Sequence, residues 1–150
     1  MRNQAGYTLL EVLIVLVITT ALFFGGFATY REFSRRQILN ATYKELGTNL
    51  SLAREFAMSG EKPSGCTGIL SGYSVSFTGT GYTIAAVCSS TVTVRSLTLP
   101  SGVTISGPNF TYKVIGQGTN LTSGSTVAIS YAVIGKTLNA TLTQDGILQK

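Results

Sequence analysis

The chain has 150 residues, a net charge of +5, 44% apolar residues and only 11% charged ones, with no histidine and no tryptophan. That length holds one modest domain plus an appendage. Charge this thin, unclustered beyond Arg35-Arg36, argues against a nucleic-acid stripe, which gathers basic residues on one face, and two cysteines without histidine exclude a structural zinc site.

Residues 1–6, MRNQAG, form a short polar leader with one arginine, Arg2. From Leu9 to Ala28 the chain is apolar, interrupted by Glu11, Thr19, Thr20 and Gly25-Gly26. Twenty helical residues rise about 30 Å, the thickness of a bilayer's hydrocarbon core. The apolar core of a secretory signal is shorter, about 7 to 15 residues. Residues 7–29 are therefore predicted to be a membrane-embedded helix. Two other readings stay open: an ordinary signal anchor, or a signal peptide cleaved after the small-x-small sequence Gly26-Phe27-Ala28.

Residues 30–59 continue the helix in amphipathic form. Leu39, Tyr43, Leu46, Leu50, Ala53 and Ala57 recur at alternating spacings of four and three, which places them on one stripe, and Ile38 and Phe56 widen it. Glu32 and Arg36 stand four apart in the order that favours an ion pair. Gly60, followed by Pro63, ends the helix. The stripe is predicted to pack on a sheet; a coiled coil would need more heptads.

Residues 60–150 read as a β-rich domain. In YSVSF the residues Tyr73, Val75 and Phe77 share a face; TGTG at 78–81 turns the chain, and YTIAAVC completes a hairpin. TVTVRSLTL follows, then Val103 and Ile105, FTYKVI, TVAISYAVI and TLNATLT, with Asp145-Gly146 turning toward Ile147-Leu148. Short alternating runs with glycine-bearing turns and no helical period between them are antiparallel grammar. The predicted class is α+β: a long N-terminal helix packed on one antiparallel sheet, open or folded over, with too little alternating surface for a sandwich.

Cys66 follows the helix and Cys88 ends a strand. In an oxidising envelope they could form a disulfide, stabilising by about 3 kcal/mol; two separate thiols are the alternative. Four sequons begin at Asn40, Asn109, Asn120 and Asn139, and in so threonine-rich a chain they are read as coincidence. Tyr73, Tyr82, Tyr112 and Tyr131 are read as cross-strand packing residues. The competing role is exposed tyrosines that meet DNA beside Lys113 and Lys136. Glu32, Glu45, Glu55 and Glu61 lie along or just past the helix as its solvated face, and Asp145 sits in a turn. With no nucleophile elbow, no phosphate loop and only a turn at Gly116-Gln117-Gly118, neither catalysis, a cofactor nor a metal is expected.

At Gly6-Tyr7-Thr8-Leu9-Leu10-Glu11 the sequence resembles the type IV prepilins and the pseudopilins of type II secretion. Their mark is a short leader ending in glycine, an aromatic residue next, a glutamate fifth from the cut, and an apolar run behind it; counted from Tyr7, Glu11 is fifth. Further on, LSLAREFAMSGEKP before Cys66, then GYSVSF, LPSGVTI and the closing TLTQDGILQK, are similar to minor pilins and minor pseudopilins. The chain departs from the family in carrying Ala28 where major pilins often have proline; Gly25-Gly26 could break the helix there instead, or allow close helix packing.

The resemblance implies that a membrane-embedded prepilin peptidase cuts after Gly6 on the cytoplasmic side and methylates the new Tyr7 amine. An unbranched residue before the cut would let the backbone approach the catalytic groups. It also implies other subunits, an inner-membrane assembly platform and the lipid bilayer as partners, with the β domain outside the cytoplasm. A carboxylate at Glu11 suits the positive end of the helix dipole and lies one turn from the Tyr7 amine. Within one subunit it can pair with its own terminus; in a bundle it can pair with a neighbour's, fixing axial register. One signal disagrees: Arg31, Arg35 and Arg36 follow the apolar run, and the positive-inside rule would put that side in the cytoplasm. The expected function is a minor pilin or pseudopilin subunit of a pilus or secretion pseudopilus. The alternatives are a single-pass anchored β-domain binding protein that does not polymerise, and a secreted protein starting near Thr29.

Overall fold

A computed structural model describes residues 8–122 and 124–149, with the backbone alone at 24–29. It contains two compact units, residues 1–37 and residues 38–150. One helix, α1 (Leu9–Ser59), contributes to both.

In the first unit α1 starts behind Thr8, whose hydroxyl accepts the Glu11 backbone N–H at 3.3 Å. This is an N-cap, which satisfies one of the amides that a helix start leaves without a partner. Gly25 and Gly26 lie within the helical span. Further along, Arg36 and Glu32 form the i,i+4 ion pair, with Nη2 and Oε1 2.5 Å apart on the exposed surface.

In the second unit the helical stripe is buried. Leu39, Leu46, Leu50, Ala53 and Ala57 are all inside, while Ile38, Tyr43 and Phe56 flank the core half-buried. Gly60 takes a left-handed φ of 65°, and the Glu61 N–H reaches back to the Phe56 carbonyl at 3.2 Å. That pattern closes the helix by satisfying a carbonyl of its last turn.

Eight strands follow: β1 (Gly72–Phe77), β2 (Gly81–Val87), β3 (Thr91–Thr98), β4 (Val103–Ser106), β5 (Phe110–Lys113), β6 (Ser125–Tyr131), β7 (Lys136–Leu142) and β8 (Leu148–Gln149). All pairings are antiparallel. The alternation read from the sequence is the alternation that is buried: Tyr73 and Val75, Tyr82 and Ile84, Phe110 and Tyr112, Val127 and Ile129, Leu138, Ala140 and Leu142 all point inward. With the helical stripe they form one core.

The strands divide differently from the expectation of one sheet. There are two four-stranded sheets, ordered β3-β2-β1-β5 and β4-β6-β7-β8. The chain leaves the first sheet after β3, enters the second at β4, and returns at β5 to the free edge of β1. The return runs through Gly107-Pro108-Asn109. A side chain on Gly107 would meet Val127 at 2.9 Å and Phe77 at 3.2 Å, so only glycine fits where the chain passes between the sheets. An isolated bridge ties the β1–β2 turn to β4, where the Ile105 N–H bonds the Gly79 carbonyl at 2.8 Å.

Two apolar runs end earlier than their sequence suggests. FTYKVI stops being strand at Lys113, because Ile115 adopts a left-handed φ of 59° in a short 3-10 turn. TVAISYAVI stops at Tyr131, before a similar turn that Gly135 closes. In β3 a bulge sets both Arg95 and Thr93 against consecutive residues of β2, leaving Val94 extra. The added residue changes the phase of the strand: Leu97 packs half-buried against the core, and Val92, five positions earlier, is half-buried opposite Ala86.

Candidate functional site

The most unusual surface of the described chain is the start of α1. From Leu9 to Phe23 its large apolar side chains stand between 48% and 85% exposed. Leu, Val and Ile side chains left open along fifteen residues form a contiguous apolar face of the kind that marks a lipid or protein contact.

Three polar side chains sit in this stretch, and two of them satisfy themselves. Thr19 donates its hydroxyl to the Val15 carbonyl at 2.7 Å, and Thr20 donates to the Leu16 carbonyl at 2.8 Å. Such back-bonding removes the cost of a hydroxyl in an apolar medium. Glu11 is different. Its backbone N–H is used by the Thr8 cap, and its carboxylate lies exposed in the first turn, on the same face of the helix as Val12, Val15, Leu16 and Thr19. Among the described residues no side-chain donor meets that carboxylate. The macrodipole favours an anion at this end of the helix, but a dipole does not supply a hydrogen-bond donor. Thr8 through Glu11 also reads Thr-Leu-Leu-Glu, the sequence spacing of a capping box. Thr8 belongs to the motif already read from the sequence; its capping role emerges only in the structure.

Gly6 and Tyr7, the expected cleavage and methylation positions, lie outside the described residues. Among the described residues no helix is long and apolar enough to cross a membrane; the side chains that finish the apolar run, at 24–29, also lie outside them.

Elsewhere the candidate residues resolve into structure. Cys66 and Cys88 are joined in a disulfide with their Cα atoms 5.7 Å apart, inside the usual range for such bonds. The bridge ties the connector after α1 to the residue that follows β2. Tyr73, Tyr82, Tyr112 and Tyr131 are all buried, so the reading that paired exposed tyrosines with Lys113 and Lys136 on DNA is corrected: a ring within the core cannot stack on a base. The hydroxyls of Tyr73, Tyr82 and Tyr112 have partners within the protein. Tyr73 donates to the Glu61 carbonyl at 2.6 Å, and Tyr112 donates to the Gly146 carbonyl at 2.7 Å. Burial pushes the Tyr112 hydroxyl far above its ordinary range, with Arg54 opposing weakly. Burial also raises Tyr73, aided by Glu61. Tyr82 is raised by burial, offset in part by its bond to Asn49.

That bond belongs to a polar bridge the sequence did not announce. Asn49 is buried on the helical stripe, donates Nδ2 to the Tyr82 hydroxyl at 2.8 Å, and accepts the Arg95 guanidinium on Oδ1 at 2.8 Å. Two of the sequon asparagines are likewise structural acceptors: Asn109 takes the Phe77 N–H at 2.9 Å and Asn120 takes the Thr111 N–H at 2.7 Å. Among the described residues no group of acidic or cysteine side chains could hold a metal ion.

Residues 1–27 match the model of the prokaryotic N-terminal methylation motif, the signature of type IV prepilins and pseudopilins. No curated protein and no solved structure matches the chain.

Proposed function

We propose that this chain is a structural subunit, a minor pilin or pseudopilin. It is inserted in the inner membrane, cut after Gly6, methylated on Tyr7, and assembled through the first part of α1 with the β domain outside the cytoplasm. The observation that carries this reading is the methylation motif over residues 1–27, set on a helix whose apolar face is unburied and holds one carboxylate.

The chemistry supports a specific part for Glu11. An acidic side chain in hydrocarbon costs about 2.5 to 3.5 kcal/mol on insertion scales. After processing, Tyr7 carries a charged amine one turn before it. In a bundle of parallel helices a neighbour's amine meets the carboxylate only at one axial offset, so relief of that cost selects the register. Thr8 holds the helix start in place, and Thr19 and Thr20 ask nothing of a neighbour. Glu11 is thus the polar group in the run that a second subunit's amine can satisfy.

N-terminal mass analysis of the chain purified from cells that contain a prepilin peptidase tests the proposal. A chain starting at methylated Tyr7 is expected. Retention of Met1 would favour a membrane-anchored β domain that does not polymerise, and a start near Thr29 would favour a secreted one.

A further inference from the structure

The geometry points to a binding collar for anionic phospholipid headgroups on α1 at Tyr30–Arg36. It rests on the reading of the chain as a membrane-anchored subunit, and it concerns a segment to which that reading gives no task.

Between Glu11 and Arg31 the chain carries no charged residue. Then three arginines and one glutamate arrive within six positions: Arg31, Glu32, Arg35 and Arg36. Two aromatic residues stand among them, Tyr30 at 68% exposure and Phe33 at 58%. At about 100° of turn per residue, Tyr30 and Phe33 share one side of the helix while Arg31 and Arg35 share another. Arg36 uses one guanidinium nitrogen, Nη2, in its ion pair with Glu32, and a guanidinium carries five N–H donors. The collar begins just after Ala28, about 30 Å along the helix from Leu9, where a helix leaving the hydrocarbon meets the headgroups.

Both residue types suit that layer. Aromatic side chains favour the boundary between tails and headgroups. Guanidinium groups match phosphate oxygens in a two-pronged geometry, and their stems can lie along apolar surface while the charge stays wet. A nucleic acid would offer phosphate too, but the collar follows in sequence the apolar run from Leu9 to Ala28, whose described part, Leu9 to Phe23, is exposed. The ligand must therefore place its phosphate at the rim of an apolar phase, and a phospholipid does so. The collar also gives the three arginines a role on the side of the membrane where the positive-inside rule does not expect them. They hold lipid phosphate there and do not report orientation.

The test uses the full chain reconstituted in phosphatidylcholine vesicles with and without phosphatidylglycerol. Photoreactive forms of both lipids are present, and adducts are mapped by mass spectrometry. The wild type is expected to label more strongly with phosphatidylglycerol, with adducts at 30–36, by about fivefold for each net arginine charge. R31Q/R35Q/R36Q should lose the preference. E32Q, which releases Arg36 and adds a net positive charge, should raise it, and a merely damaged helix would not. Equal labelling by the two lipids, adducts elsewhere, or preference retained in the triple variant would overturn the collar. If alkaline washing strips the wild type from the vesicles, the anchored reading falls and the collar with it. If the protein withstands the wash without lipid preference, the collar alone falls.

Discussion

Between Leu9 and Phe23 every large apolar side chain of α1 is exposed, whereas from Leu39 to Ala57 the same helix buries five apolar residues in the core of the second unit. The backbone conformation is one and the same. What differs is the medium each segment requires. The later segment finds its apolar partner within its own chain, in the inward faces of two sheets, so its burial contributes to folding. The earlier segment finds none within the described chain, so its burial waits for lipid or for other helices. Polar groups follow the same division. In the later segment Asn49 is answered by Tyr82 and Arg95; in the earlier one Glu11 has only its place at the helix start.

The contrast can be broken or sharpened by substitution. The largest effect is expected at Leu50. Leu50→Ala should destabilise the folded chain by about 2 to 5 kcal/mol, through lost transfer energy and the cavity left behind. Leu13→Ala, in the exposed segment, should shift stability by less than about 0.5 kcal/mol. Urea unfolding in detergent compares them, and equal losses would dissolve the distinction. Next comes Glu11→Gln. It should leave that unfolding curve unchanged while reducing incorporation into sheared filaments roughly a hundredfold, the equivalent of the insertion cost of an acid. Immunoblotting of the sheared fraction reads it, and a normal yield would remove Glu11 from assembly. Asn49→Ala should do the reverse, leaving the Tyr82 hydroxyl unanswered in the core at a cost of about 1 to 3 kcal/mol.

The smallest effect near neutrality is that of pH. An unfolded Tyr112 ionises near 10.0, and in the fold burial holds the hydroxyl protonated well above that value. The stability it contributes is therefore fully present below pH 10 and falls as pH rises, because the unfolded chain releases the proton first. Alkaline unfolding followed by tyrosinate absorbance should show this fall. Tyr112→Phe should reduce it, leaving the part that Tyr73 and Tyr82 contribute, at the cost of the bond to Gly146.

Much of this division was readable in advance because local pattern carries it. The spacing of Leu39 through Ala57 needs no knowledge of the rest of the chain, and neither does the stop at Gly60 or the hairpin around Thr78-Gly79-Thr80. Partner choice was not readable. Nothing in the alternation of Val103 and Ile105 says that β4 will pair with β6 and not with β3, or that β5 will return to β1; those pairings span long loops, and Gly107 reveals its purpose only when Phe77 and Val127 stand against it. Asn49 was invisible for a related reason. A polar residue on an apolar stripe reads as a defect until its two partners, remote in sequence, arrive. At the candidate site the glutamate was legible because it contradicts its surroundings, while Thr8 was legible as part of the motif but not as the cap of the helix.

The link between Cys66 and Cys88 has a mechanical meaning. Under the proposed function, a pull on the N-terminal helix meets the packed stripe from Leu39 to Ala57 first and, once that stripe is drawn off the core, passes along the chain after Ser59. Tension arriving at Cys66 crosses the sulfur bridge to Cys88, 22 positions on, and bypasses the β1–β2 hairpin between them. About 70 Å of contour length is thereby withheld from stretching. The β1–β2 hairpin is shielded from tension carried along the backbone past Ser59, for as long as that bridge stays oxidised.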